Sequence, residues 1–218
     1  MRKLEKFSLY EAPGKGEVVF TFGRFNPPTT GHEKLINKVK SVAGSNDYKI
    51  FPSHTQNQNK DPLPHSLKIA YMRKMFPRHA RNIIADKKAM TAMNIATSLY
   101  DQGYTELTMV VGSDRVKEFE RLLTTYNGVS GKRHGFYNFK KIKVVSAGDR
   151  DPDADDVSGM SASKMRQAAV DGKVQEFEQG VPKGFRDARK LYRDVRKHMG
   201  IREEKDMGIM NDYESLRD

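Results

Sequence analysis

The sequence predicts an α/β fold, a doubly wound parallel sheet with a C-terminal helical extension, and three observations carry that expectation. Short β-rich runs alternate with amphipathic stretches of helical length from residue 17 onward. Connections of ten or more residues between successive strands call for parallel strands joined by crossovers. A chain of 218 residues is long enough to bury one such sheet beneath helices.

Taken in order, residues 1–16 are polar and basic and close on Ala12-Pro13-Gly14-Lys15-Gly16, which reads as an extension ahead of the fold. Residues 17–22 are a short β-rich run ending at Gly23, and from His32 the apolar residues Leu35, Ile36, Val39, Val42 and Ala43 fall at helical spacing. The alternation continues with strands at 48–52, 82–85, 106–111 and 141–146 and helices at 66–76, 89–100 and 113–126. Residues 127–138 have loop composition, with Gly128, Ser130, Gly131 and Gly135 breaking any period. At the carboxyl end Phe185, Ala188, Tyr192, Val195 and Met199 form one apolar face, while Arg186, Arg189, Lys190, Arg193, Arg196 and Lys197 fill the others. That helix reads as docked on the body with a solvated basic face, and a polyanion-binding helix is the alternative. The expected layout is a Rossmann-like domain over 17–182, an amphipathic helix over 183–199 and a flexible tail over 200–218.

Composition narrows the function. Cysteine is absent, which removes disulfides, thiolate metal sites and cysteine nucleophiles and suits a reducing, cytoplasmic setting. Apolar runs such as Val18-Val19-Phe20 and Met109-Val110-Val111 fall far short of the roughly 20 residues of a membrane span, so no membrane partner is expected. Lys plus Arg number 39 against 28 for Asp plus Glu, a net charge of +11 that favours polyanionic ligands. The basic residues are spread along the chain without a zinc-finger or aromatic RNA-binding signature, so nucleotides are expected ahead of nucleic acid.

Ligands of doubly wound sheets bind beyond the strand carboxyl ends, which directs attention to the loops after residues 22, 52, 111 and 146. The first is Gly23-Arg24-Phe25-Asn26-Pro27-Pro28-Thr29-Thr30-Gly31-His32. A loop between a strand end and a helix start gathers unpaired amides and the positive end of the helix dipole, a cradle for phosphate. Gly31 allows close backbone approach, Pro27-Pro28 stiffens the turn, and Thr29 lies three residues before His32, where its hydroxyl shares the same face.

These residues resemble the nucleotidylyltransferase superfamily, whose strand-loop-helix signature is His or Thr, any residue, Gly, His; here it is Thr29-Thr30-Gly31-His32. Gly23 to Thr29 is similar to the Gly-x-Phe-Asn-Pro-x-Thr of nicotinamide-mononucleotide adenylyltransferases, and Thr-x-Gly-His is also similar to phosphopantetheine adenylyltransferases. The resemblance implies that His32, without a second histidine, is the imidazole on the reacting phosphate and that Arg24 adds a cation.

Met160-Ser161-Ala162-Ser163-Lys164-Met165-Arg166 reads as a second helix start, with Ser161 and Ser163 able to cap it and Lys164 and Arg166 bringing charge. It resembles the superfamily's Ile-Ser-Ser-Thr-x-x-Arg motif, which implies that Arg166 holds the β- and γ-phosphates and stabilises departing pyrophosphate. Lys60 in Lys60-Asp61-Pro62-Leu63 stands where the family often places a phosphate- or acceptor-facing Lys, with a solvated loop Lys as the alternative; nearby His54 and His65 read as polar loop residues. Gly112-Ser113-Asp114 resembles the Gly-x-Asp element of the pyridine-nucleotide branch: Gly112 reads as a close approach to the nucleotide, and Asp114 as a ribose contact or a helix cap. The acidic run 149–156 lacks the ligand spacing of a calcium loop, so no protein metal site is expected and Mg2+ is expected to arrive with the nucleotide.

The expected reaction is attack by an acceptor's phosphate oxygen on the α-phosphate of a nucleoside triphosphate, ATP favoured, with release of pyrophosphate. Nicotinamide mononucleotide is the leading acceptor. Alternatives are cytidylyl transfer to a phosphorylated alcohol or sugar, and a nucleotide-binding phage-head protein without turnover. The last is motivated by residues 1–11, which resemble head-targeting peptides of T-even-like phage internal proteins and contain Leu9-Tyr10-Glu11, similar to a prohead-protease site. A nucleic-acid binder stands on charge alone. The acceptor is expected to be chosen by loops 55–65 and 127–138; monomer and homo-oligomer both remain open.

Overall fold

Apolar runs with no polar alternation mark strands covered on both faces, and the central strands have that character. In β1 (Glu17–Gly23) residues 18–20 are fully buried, and in β3 (Glu106–Val111) every residue after Glu106 is buried. The computed structural model describes residues 14–148 and 160–201. The expectations attached to residues 1–13, to the acidic run 149–156 and to residues 202–218 lie outside the described residues.

The described residues fall into two compact units. One is drawn from Met1–Phe22, Leu35–Phe51 and Asp86–Arg150, the other from Gly23–Lys34, Pro52–Ala85 and Asp151–Asp218. The first holds the sheet, whose order is β2-β1-β3-β4, with β2 at Asp47–Pro52 and β4 at Lys141–Ser146. β1 and β3 run parallel with Glu17 opposite Glu106 and Phe20 opposite Met109, and β3 and β4 run parallel with Glu106 opposite Lys141. The edge position of β4 explains its half-exposed residues. Strand order reverses between β1 and β3, the switch point outside whose carboxyl ends such sheets take ligands. In the same unit α3 (Ala92–Asp101) is capped by Thr91, whose hydroxyl accepts the Asn94 amide, and α4 (Val116–Thr125) follows a short 3-10 turn at Ser113–Arg115. Loop 127–138 is held from within: Asn127 bonds Phe139 through both its amide atoms, and the Tyr137 hydroxyl donates to the Leu123 carbonyl.

The second unit holds the loop after β1, the first turn of α1 (Thr30–Ala43), α2 (His65–Met75), α5 (Ala162–Val170), α6 (Val174–Gln179) and α7 (Ala188–His198). The strand expected at 82–85 is not formed. Pro77 opens a 3-10 helix, Pro77–Asn82, that takes in Asn82 and bonds the Ile83 amide to the His79 carbonyl, and the Arg73 guanidinium donates to the Ile83 carbonyl at 2.7 Å. Helix α6 escapes the periodicity because six residues are too few to display it, and one fully buried Phe177 anchors it. α7 begins later than its apolar pattern does, at Ala188, with Phe185 in the turn before it and Leu191, Tyr192 and Val195 buried.

Candidate active site

Thr29 and His32 close the start of α1 reciprocally. The His32 amide donates to the Thr29 hydroxyl at 3.3 Å, and the Thr29 amide donates to His32 Nδ1 at 3.0 Å. This is the geometry of a capping box, with imidazole where Glu or Gln is usual. Because Nδ1 accepts a main-chain hydrogen, the neutral ring carries its proton on Nε2. One side chain therefore both caps a helix and holds a fixed N–H donor at the helix's positive end.

The loop before this helix is pinned from below. Asn26 is 1% exposed; its amide nitrogen donates to the Leu63 carbonyl and its oxygen accepts the Leu63 amide, both at 3.0 Å. Phe25, also 1% exposed, has φ 47° and rests its ring on His32, centroids 4.9 Å apart. A Cβ at Gly23 would stand 3.1 Å from that ring, a tight contact that the Phe25 ring would have to yield to by a few tenths of an ångström. Phe25 and Asn26 thus lie behind the surface and support the imidazole, whereas Arg24 is exposed and pairs with Asp61 at 3.7 Å.

Ser161 caps α5 by accepting the Lys164 amide at 3.1 Å. Arg166, one turn in, donates to the Asn26 carbonyl at 2.7 Å and to the Ser163 hydroxyl at 2.9 Å. These bonds use two of its five N–H donors. The two motifs, far apart in sequence, are thereby joined, and Gly31 belongs to the junction: a Cβ there would come within 3.9 Å of the Met160 carbonyl, an ordinary contact. Lys164 is exposed beside them.

Sequence reasoning missed the groups beneath this surface. Lys68, 0% exposed, donates to the Ser53 carbonyl at 2.7 Å, and Ser53 in turn donates its amide to the Gly23 carbonyl at 2.7 Å. Burial lowers the Lys68 ammonium to about 8, with Asp61 opposing and Arg24 adding to the fall. Asp61 is 3% exposed and acts on Lys68, Arg24 and Arg166, whose guanidinium is likewise lowered first by burial. A lysine on an apolar helix face is a signal for such a network only once a carboxylate is known to meet it. Gly180 was missed as well. Its carbonyl accepts the Thr30 amide at 2.9 Å, and a side chain on it would overlap the sulfur and Cγ of buried Met165.

Other expected residues stand apart from this network. Lys60 is exposed in a turn whose amides at 59 and 60 both reach the Asn57 side chain. His54 and His65 stack face to face at 3.6 Å, and burial followed by the His54 charge lowers the His65 imidazole. Gly112 and Asp114 belong to the other unit, where Gly112 precedes the 3-10 turn and Asp114 is exposed and caps neither that turn nor α4. Among the described residues no group of three His, Asp or Glu side chains is placed to hold a metal ion, and no helix is long and apolar enough to cross a membrane.

A cation-rich pair of helix starts with one fixed imidazole donor is suited to a polyphosphate. Residues 20–168 match the family model described as cytidylyltransferase-like, a span that encloses both motifs. The chain belongs to the cytidylyltransferase-like family. It is thus a nucleotidylyltransferase, with a Rossmann-like α/β sheet and C-terminal helices. Among solved structures this nucleotidylyltransferase is similar to nicotinic acid mononucleotide adenylyltransferase of Plasmodium falciparum complexed with NaAD. The identity is 13% and the TM-score 0.51, over 83% of this chain and 97% of that one, a likeness of fold. No curated protein matches the sequence significantly.

Proposed function

We propose that this nucleotidylyltransferase moves an adenylyl group from ATP to a pyridine mononucleotide, releasing pyrophosphate. The observation that carries the reading is the Thr29–His32 capping box, which holds an Nε2–H donor at the start of α1 beside the Gly23–Asn26 loop. An oxygen of the acceptor's phosphate attacks the α-phosphorus, the bond to the β-phosphate oxygen breaks, and pyrophosphate leaves with the electron pair. Charge that grows on the α-phosphate oxygens meets His32 and the α1 amides; charge on the leaving group meets Arg166 and Lys164, with Ser161 and Ser163 shaping that helix start. Arg24 and Lys60 are the exposed cations assigned to the rim, and Gly112 and Asp114 to the nucleoside. No covalent enzyme intermediate is involved.

Magnesium fits this site as an ion carried on the phosphates, where it would neutralise their charge, because the buried carboxylate Asp61 is committed to Arg24 and Lys68. The adenylyl assignment is supported by the Gly23-to-Thr29 pattern and by the fold neighbour; the family description keeps cytidylyl transfer to a phosphorylated alcohol or sugar as the second reading. A matrix of four nucleoside triphosphates against nicotinamide mononucleotide, its acid and phosphorylated alcohols, read as pyrophosphate release, separates them. ATP with a pyridine mononucleotide is expected to react and Arg166→Ala to abolish the signal. Turnover confined to CTP supports the second reading, and no release with any pair overturns both.

A further inference from the structure

We infer that the solvent face of α7 docks the phosphate backbone of nucleic acid. With Leu191, Tyr192 and Val195 buried, the opposite face of the helix carries Lys190, Arg193 and Lys197, three and four residues apart in one stripe. Arg186 lies in the turn just before the helix, and all four are exposed.

Local physics does not account for this stripe. Cations near a helix N-terminus oppose the dipole, yet the first turn of α7 holds Arg189 and Lys190 and no acid, and Arg186 stands just ahead of it. Like charges three and four residues apart repel. Acids are present but are engaged: Asp187 pairs with Lys74 at 2.6 Å, Glu178 with Arg189 at 3.3 Å, and Asp194 with the stripe residue Lys190 at 2.9 Å. Arg186, Arg193 and Lys197 meet no carboxylate among the described residues. Arg186 also lines a cavity of 470 Å³ together with Lys74, Lys183, Phe185 and Asp187.

The geometry selects the partner. From Lys190 to Lys197 the helical stripe spans roughly 10 Å at ~1.5 Å per residue, the axial length of about three base pairs, and Arg186 extends it beyond the helix start. A single small anion has no use for that length. An anionic membrane would attract the same cations, but the apolar side chains that would anchor α7 in it are buried on the other face. Contacts to the phosphate backbone carry no sequence information, so binding is independent of sequence.

The test is fluorescence anisotropy of a labelled 25-base-pair duplex against KCl concentration, for the wild type and for Arg186→Gln/Arg193→Gln/Lys197→Gln. Wild type is expected to show a log–log slope of roughly −3 to −4, and the triple variant to lose about 2.7 of it, 0.9 for each contact. Arg193→Gln alone should lose about 0.9, which guards against a misfolded triple variant. Scrambled duplexes and added ATP should change nothing, and pyrophosphate release should be unaffected in both variants. Equal binding by wild type and triple variant, absence of duplex binding, or stripe-dependent binding to phosphatidylserine vesicles but not to duplex would each overturn the inference.

Discussion

The Arg166 guanidinium donates to the main-chain oxygen of Asn26 at 2.7 Å across 140 residues of sequence. A single side chain therefore orients itself on the loop that leads into His32. Replacing it with Ala should lower kcat roughly 10²- to 10³-fold. Arg166→Lys should rescue little, because an ammonium cannot span Asn26 and Ser163 and still present donors outward. Steady-state kinetics on both variants checks this; near-wild-type kcat in Arg166→Lys would dismiss the positioning argument.

His32 offers an unusual conservative substitution. Gln is an ordinary partner in a capping box, able to accept the Thr29 amide through its oxygen while its NH2 points onward. His32→Gln should keep wild-type stability and some activity, whereas His32→Ala should keep the Thr29 hydroxyl cap but lose the reciprocal bond from the Thr29 amide, costing about 0.5 to 1 kcal/mol, and nearly all turnover. Paired urea unfolding and activity measurements decide it; identical behaviour of the two variants contradicts the expectation.

Asn26→Ala strips partners from two buried main-chain groups of Leu63. A loss of about 2 to 4 kcal/mol is expected in chemical denaturation. Asn26→Asp should also be destabilising, since its second oxygen would face the Leu63 carbonyl. A loss under about 0.5 kcal/mol for Ala would show that Leu63 finds other partners.

Lys68 sets a pH dependence opposite to that of a salt-bridged lysine. Its folded value, lowered by burial to about 8, lies below the ordinary 10.5. Below pH 8 both states are protonated and the burial cost, on the order of 3 kcal/mol, is fully present. Between 8 and 10.5 the unfolded chain holds the extra proton, so stability from this group rises with pH. Denaturation at pH 7.5 and 9.5 should show this increment in the wild type and its absence in Lys68→Met.

The alternating pattern of strand and helix was legible because Val18 to Phe20 and Met109 to Val111 are continuous apolar runs, each followed by glycine within three residues. Strands 106–111 and 141–146 were located to the residue. The short segments were not, since Pro77–Asn82 and Val174–Gln179 are decided by tertiary contacts of Arg73 and Phe177 rather than by periodicity. Both motif loops were legible as loops that lead into helix starts. What stayed hidden was their support: Lys68, Asp61 and Gly180 matter through partners that no local pattern announces.

The occupied Nδ1 of His32 bears on which nucleophiles the enzyme can use. With one nitrogen accepting the Thr29 amide and the other already protonated, the ring has no lone pair for a substrate proton; it can give but not take. On the proposed mechanism the acceptor is expected to arrive already ionised, which a phosphate with a second ionisation near pH 6 does and a plain alcohol does not. The acid limb of the rate profile should accordingly follow the acceptor: exchanging one phosphorylated acceptor for another should move it, and His32→Gln should leave it in place. A limb that vanishes in His32→Gln would mean the imidazole itself is being titrated.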